Sequence, residues 1–194
     1  MIKIGITGNI GVGKSYVLKI LSKMGYPVFI SDKIAKELMN KNKDLKALLK
    51  NNFGESIFRS GQIDKNFIKN KIFNSNSLRN QLNSLVHPFV NDSFELWCKA
   101  QDSQIIFKEA AIIYETGLNK KLDFVICISA EYALQISRVK ARDGMDELEI
   151  NQILKNQMKQ SEKEKLSDFV INNNESQSLL LQINEILNKV IIKK

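Results

Sequence analysis

The sequence predicts an α/β chain: a parallel five-stranded sheet flanked by helices, with a helical insertion and a lid. Three observations lead there. Gly8-Asn9-Ile10-Gly11-Val12-Gly13-Lys14-Ser15 fits G-x-x-x-x-G-K-[ST], the phosphate-cradling P-loop, so the core is of the P-loop NTPase type. About five short apolar runs alternate mostly with stretches of helical spacing. One of them, Phe124-Val125-Ile126-Cys127-Ile128, is apolar throughout, as a strand buried on both faces of a parallel sheet must be.

The elements follow in order. Ile2-Lys3-Ile4-Gly5-Ile6 is rich in β-branched residues and reads as the strand before the loop. Between Ser15 and Met24, the residues Val17, Leu18, Leu21 and Met24 share one helical face, and Gly25 stands at the stop. Val28-Phe29-Ile30 is a second strand, and Ser31 or Asp32 can cap a helix from Lys33 to Asn40. Residues 33–102 read as helices with no strand: Asp44 to Phe53 stopped by Gly54, Lys65 to Phe73 capped by Asp64, a helix capped by Ser75 or Ser77 ending at Val86, and Phe89 to Ala100. Arg59-Ser60-Gly61-Gln62 marks a turn, and Pro88 keeps His87 off regular helix. A block this long is no loop between two strands, so it predicts an inserted substrate-binding subdomain.

A third strand, Gln104 to Lys108, leads into Glu109 to Gly117, where Tyr114-Glu115 reads as a helix start. Asp123 to Ile128 is the fourth strand, and Ala130 to Asp143 a helix. After the break at Asp143-Gly144-Met145-Asp146, a polar, mobile helix runs from Glu147 to Lys165. Asp168 to Ile171 is the last strand, and Ser176 to Ile192 a closing amphipathic helix. The expected single domain therefore has a core of 1–32, 103–137 and 164–194 and two helical excursions, of about 33–102 and about 138–163; the family resemblance given below implies that these are a kinase's acceptor-binding insertion and lid.

The residue types fit one chemistry. Glycines let successive backbone N–H groups turn toward phosphates, and the following helix adds its free donors and positive dipole end. Lys14 is expected on the β- and γ-phosphates, and the Ser15 hydroxyl on Mg²⁺. Asp32 follows the second strand, at the strand end where open α/β sheets bind ligands. Its carboxylate can take a proton from a substrate hydroxyl, help hold Mg²⁺, or only cap a helix. Glu109 also ends a strand and can serve near the metal. Arg138 and Arg142, four apart, share a helix face: either a solvated basic face or a lid closing over phosphates. His87 is the one histidine, structural or in contact with substrate.

Composition narrows the field. Net charge is 29 − 21 = +8, which suits an anionic partner, but the basic residues are scattered. No basic stripe with stacking aromatics argues for nucleic acid. Asn119-Lys120-Lys121-Leu122 lacks the aspartate of an N-K-x-D guanine-reading motif. Cys98 and Cys127 form neither a disulfide framework nor a zinc pattern. Without a signal peptide or a run of ~20 apolar residues, the chain reads as cytoplasmic and not membrane-bound.

Together these pieces resemble the dephospho-CoA kinase family over nearly the full length. The resemblance rests on Ile6 to Ser15, Ser31-Asp32-Lys33-Ile34-Ala35, Arg79 with Leu82 ahead of His87-Pro88, and Ile112-Ile113-Tyr114-Glu115-Thr116-Gly117-Leu118. It continues through Arg138 and Arg142 with Asp143-Gly144, then Gln157-Met158 with Lys163, and Asp168-Phe169-Val170-Ile171-Asn172-Asn173. It implies ATP-dependent, Mg²⁺-assisted phosphorylation of the ribose 3′-hydroxyl of dephospho-CoA. By position it implies Asp32 as the base, and Lys14 and Arg138 on the phosphates. Gly8, Asn9, Ile10, Gly11, Val12, Gly13, Ser15, Tyr16, Arg142 and Asn173 would be ATP contacts. Arg79, His87 and Glu115 would lie on the acceptor side. The expected assembly is a monomer or weak homo-oligomer. Another small-molecule P-loop kinase, of the nucleoside-monophosphate or shikimate type, is the alternative. Three departures stand out: Glu109-Ala110-Ala111-Ile112-Ile113 for Asp-x-Pro-Leu-Leu, Tyr16 for the usual Thr, and Glu175 where the family often has Gly.

Overall fold

The structure, a computed structural model, describes residues 1–72 and 75–192; of Lys65 and Lys69 it describes the backbone. In chain order it runs β1 (Ile2–Thr7), α1 (Lys14–Lys23), β2 (Val28–Ile30), α2 (Ser31–Lys41), α3 (Lys43–Phe53), β3 (Phe58–Arg59), β4 (Gln62–Ile63), α4 (Lys65–Phe67) and α5 (Asn76–Lys99). It continues with β5 (Ile105–Glu109), β6 (Phe124–Ser129), α6 (Tyr132–Asp143), α7 (Glu147–Lys155), α8 (Gln160–Leu166), β7 (Phe169–Asn172) and α9 (Leu179–Ile192). The chain forms two compact units: Met1–Phe29 with Asp102–Lys194, and Ile30–Gln101.

The first unit is built on a five-stranded sheet in the order β2-β5-β1-β6-β7. β1 runs parallel to β5 and β6, and β6 parallel to β7. Such a sheet needs cover on both faces. Ile4 and Ile6 of central β1 are fully buried. α1 brings Val17, Leu18 and Leu21 to this core, and α9 brings Ile183, Ile186, Leu187 and Val190 at helical spacing. Each such side chain, fully buried, contributes about 1.5–3 kcal/mol. The core thereby fixes the carboxyl ends of β1 and β7, from which the loops of the candidate site spring.

The second unit is mostly helical. α5 buries Leu82, Val86, Val90, Phe94 and Cys98, a ladder four residues apart, and packs on α2 and α3. That ladder explains the first departure from the sequence reading. α5 is one helix through His87 and Pro88, not two. Proline removes one backbone bond, to the Ser84 carbonyl, and the continuous apolar stripe on either side outweighs it. The second departure is a strand pair in a block read as free of strands: β3 and β4 pair antiparallel around the expected turn. Ser60 and Gly61 both have positive φ (51° and 76°), the twist that two-residue hairpins require.

Among the caps, Ser75 rather than Ser77 accepts from the Leu78 N–H at 3.3 Å, and Asp64 accepts from Asn66 and Phe67. α4 passes into a π turn over Ile68–Ile72, and the expected helix end, Phe73, lies outside the described residues. In the first unit the polar helix read over 147–165 is divided into α7 and α8, with residues 156–159 between them. Tyr114-Glu115 begins no helix but lies in a turn ahead of a short 3₁₀ segment, Leu118–Lys121. No helix among the described residues is long and apolar enough to cross a membrane.

Candidate active site

The site starts where β1 gives way to α1. Gly13 is the N-cap of α1, left-handed at φ 92°, and provides no side-chain cap. The first turn of α1 thus presents backbone donors and the positive end of the helix dipole with no side chain in the way. A β-carbon on Gly13 would stand 2.2 Å from Asn173 Nδ2, so this close approach admits only glycine. Asn173, just past β7, donates Nδ2 to the Val12 carbonyl at 2.8 Å and so supports the loop from below. Two loop amides are held by Gln157, between α7 and α8, and by Gln160, the first residue of α8. Asn9 N–H donates to Gln160 Oε1 at 3.0 Å, and Ile10 N–H to Gln157 Oε1 at 3.1 Å. These two bonds are why residues 147–165 cannot form one straight helix: the turn brings both glutamines onto the loop. Lys14 Nζ donates to the carbonyls of Gly8 (2.8 Å) and Asn9 (3.2 Å).

Two polar side-chain atoms stay buried without a partner here: Asn9 Oδ1 and Arg138 Nη1. A buried, unsatisfied donor costs about 1–3 kcal/mol, more when charged. Arg138 Nη1 lies 3.9 Å from where a Gly13 β-carbon would be, so the unspent donor sits beside the loop. The other nitrogen of that guanidinium, Nη2, donates to the Asn173 carbonyl at 2.9 Å and to Glu175 Oε1 at 2.8 Å. Glu175 holds φ 64°, a left-handed conformation that costs a non-glycine residue on the order of 1 kcal/mol. Arg142, one turn further along α6, is directed elsewhere. It grips its neighbour Asp143 through Nε (2.9 Å) and Nη2 (2.6 Å). That hydrogen bond raises the Arg142 guanidinium above its ordinary value and holds the Asp143 carboxyl below the usual carboxylate range.

The exit of β5 completes the candidate site within the first unit. Glu109 is buried beside Ile6 of β1, and the Ala110 N–H donates to the Ile6 carbonyl. Lys163 of α8, fully buried, donates to the Ala111 carbonyl at 2.6 Å and pairs with Glu115 Oε1 at 3.0 Å. The same carboxylate oxygen accepts from the Met158 N–H at 2.8 Å. Glu115, read from the sequence as an acceptor-side residue, is thus engaged by α8 and the turn before it. Burial pushes the Cys127 thiol up to about 11 and raises the Tyr114 hydroxyl, so neither ionises near neutral pH.

This geometry is that of a P-loop kinase, and relatives agree. A family model described as dephospho-CoA kinase matches residues 2–178. The chain belongs to the dephospho-CoA kinase family. It is 35% identical to the Bacteroides fragilis dephospho-CoA kinase over 187 residues, which covers 96% of this chain and 91% of the relative. It is 32% identical to that of Porphyromonas gingivalis over 195 residues, covering 100% and 96%. A crystal structure of a Thermus thermophilus protein superposes with a TM-score of 0.83 at 28% identity, covering 99% of this chain and 97% of that one. The fold is shared with the Campylobacter jejuni dephospho-CoA kinase (TM-score 0.65, 20% identity, 97% and 96% covered). As a dephospho-CoA kinase family member the chain is a phosphotransferase.

Of the remaining candidate residues of this dephospho-CoA kinase homologue, Asp32, Arg79 and His87 stand in the second unit, and Ser15 and Tyr16 in the first. Asp32 is exposed in the first turn of α2, two residues past β2. It is not the helix cap, and neither is Ser31: the N-cap is Ile30, with no side-chain cap bond. Among the described residues the Asp32 carboxylate has no hydrogen-bond or ion-pair partner. Arg79 and His87 both lie on α5, half-buried, with Arg79 Nη2 on Asn76 Oδ1 at 2.6 Å. Tyr16 is 61% exposed. Ser15 is exposed beside it at the start of α1. One serine oxygen fits Mg²⁺, which takes few protein ligands and completes its shell with substrate phosphates and water. Sequence reasoning missed the roles of Gln157 and Gln160 on the loop and of Glu175 on Arg138, because nothing in local pattern links positions so far apart.

Proposed function

We propose that this chain transfers the γ-phosphoryl group of ATP to the 3′-hydroxyl of dephospho-CoA, giving CoA and ADP. The observation that carries the donor half is the unpartnered Arg138 Nη1 beside an uncapped helix start, an anion site whose last donor is unspent. Ser15 would hold Mg²⁺, which would supply neutralisation of the phosphate charge. On this reading Lys14 moves from the Gly8 and Asn9 carbonyls onto the β- and γ-phosphates. Backbone amides from Gly8 to Tyr16 line the nucleotide's phosphate chain. Asn173 holds the loop and flanks the base, with Arg142 on the same side. Arg138 stabilises charge on the group in flight. Asp32, exposed and unpartnered, accepts the proton of the 3′-hydroxyl. Arg79 and His87 bind the acceptor, and Glu115 acts through Lys163 rather than on substrate directly. The first unit is the nucleotide-binding core with a lid, the second the acceptor-binding part, and the whole works as a cytoplasmic monomer or weak homo-oligomer.

ADP release measured with dephospho-CoA, AMP and shikimate as acceptors tests the reading. Turnover of dephospho-CoA alone is expected; an inert dephospho-CoA beside an active AMP or shikimate overturns it. Asp32→Asn should cut kcat by about 10²–10⁴-fold with ATP affinity retained. Near-normal kcat would reduce Asp32 to a favourable charge in the first turn of α2.

A further inference from the structure

We infer that Glu175 is a positioning residue for Arg138, an inference that rests on the proposed role of Arg138 at the phosphates. A guanidinium η-nitrogen carries two N–H donors. On Arg138 Nη2 both are spent, one on the Asn173 carbonyl at 2.9 Å and one on Glu175 Oε1 at 2.8 Å. Two acceptors on one nitrogen fix the plane of the group. Of the donors left over, Nη1 is the one that is buried, without a partner, and beside Gly13. The carboxylate therefore decides which edge of the arginine faces the loop.

Glu175 has no other partner among the described residues, and it is largely exposed, so it packs nothing. It also occupies a left-handed backbone conformation (φ 64°) that glycine would take more readily. A charged side chain held in a disfavoured conformation, and spending its one contact on the arginine of the anion site, points to function rather than folding. Glu175 acts through Arg138 and touches no substrate.

Steady-state kinetics of the full chain with Glu175→Gly, Glu175→Gln, Arg138→Lys and Arg138→Lys/Glu175→Gly tests this, alongside ADP titrations by calorimetry. Glu175→Gly should lower kcat/KM for ATP about threefold, the size expected of an exposed ion pair, with KM for dephospho-CoA unchanged. Glu175→Gln keeps an oxygen acceptor for Nη2 and should recover most of that loss. In the Arg138→Lys background, Glu175→Gly should cost nothing further, because the fork it aims is gone. The gap between wild type and Glu175→Gly should close near 1 M salt, where the Debye length is about 3 Å. A gain in ATP affinity in Glu175→Gly would show a carboxylate that competes with phosphate. An equal loss in the Arg138→Lys background would show one that does not act through Arg138. Either overturns the inference. If the wild type turns over no dephospho-CoA, the proposed activity fails while the ADP titrations still decide the role of Glu175: threefold weaker binding in Glu175→Gly supports it, and unchanged binding sinks it.

Discussion

Arg138 and Arg142 stand one turn apart on α6 and live in different surroundings. Arg138 is bound by groups that follow β7, 35 and 37 positions further along the chain. Arg142 closes on its immediate neighbour, Asp143. Spacing of four puts two side chains on one helix face, but it does not give them one task. The partner does. An arginine held from a distant element is fixed relative to the loop, with a donor to spare. One paired with the next residue is a surface ion pair that any helix could carry. α6 thus carries a tertiary anchor at Arg138, near its middle, and a local pair at its end.

Five substitutions sharpen or break that comparison. The largest effect is expected from Arg138→Ala, a fall in kcat of about 10²–10³-fold, as when one preorganised donor is removed from a charged transition state. A melt close to that of the wild type would separate this loss from unfolding. Next, Gly13→Ala should drive Asn173 off both the Val12 carbonyl and its place beside Arg138. Calorimetry should show nucleotide affinity falling tenfold or more, with about 1–3 kcal/mol of stability lost. Gly144→Ala, at the local end of α6, meets nothing within 4 Å and should cost only about 1 kcal/mol, with turnover intact. If both glycines behave alike, the distinction between the tertiary and the local surroundings fails. Fourth, Arg142→Ala should leave kcat/KM for ATP within about threefold of wild type; a hundredfold loss would restore Arg142 to the phosphate site.

The smallest effect concerns the Arg142–Asp143 pair itself. Arg142 holds the Asp143 carboxyl below its ordinary value, so the stabilisation is present at neutral pH and fades as acid protonates the folded group. Asp143 is well solvated, so Asp143→Asn should lower Tm by about 1 °C at pH 7. That gap should vanish below the folded carboxyl's own range. A gap that persists in acid would mean Asp143 works by packing.

Much of the first unit is legible in the sequence. β-branched runs bounded by turn residues mark its strands, and the P-loop motif marks the loop between β1 and α1. The misreadings share a physical cause. Pro88 is a helix breaker by local rules, and the Leu82–Cys98 ladder overrides it through packing. The Glu147–Lys165 stretch has helical pattern throughout, and two glutamine bonds to a loop almost 150 positions away divide it. Phe58-Arg59 and Gln62-Ile63 are too short to show a strand period. At the candidate site, the residue types were readable from the motif. The pairing of Glu175 with Arg138 was not, because a left-handed glutamate has no signature in residue order.

The position of β1 in the middle of the sheet has a consequence for the birth of the molecule. β1 is made first, yet its neighbours β5 and β6 come some hundred residues later, and Ile2 meets Ile105. At a synthesis rate of about 5–20 residues per second, this apolar strand and its glycine loop wait about 5–20 s for a partner. Residues 30–101 emerge in the interval, and α2, α3 and α5 can settle on one another without any strand of the main sheet. The inserted block thus doubles as a timer. Its length sets how long this buried central strand of the nascent chain stays uncovered, and how long a chaperone has to find it.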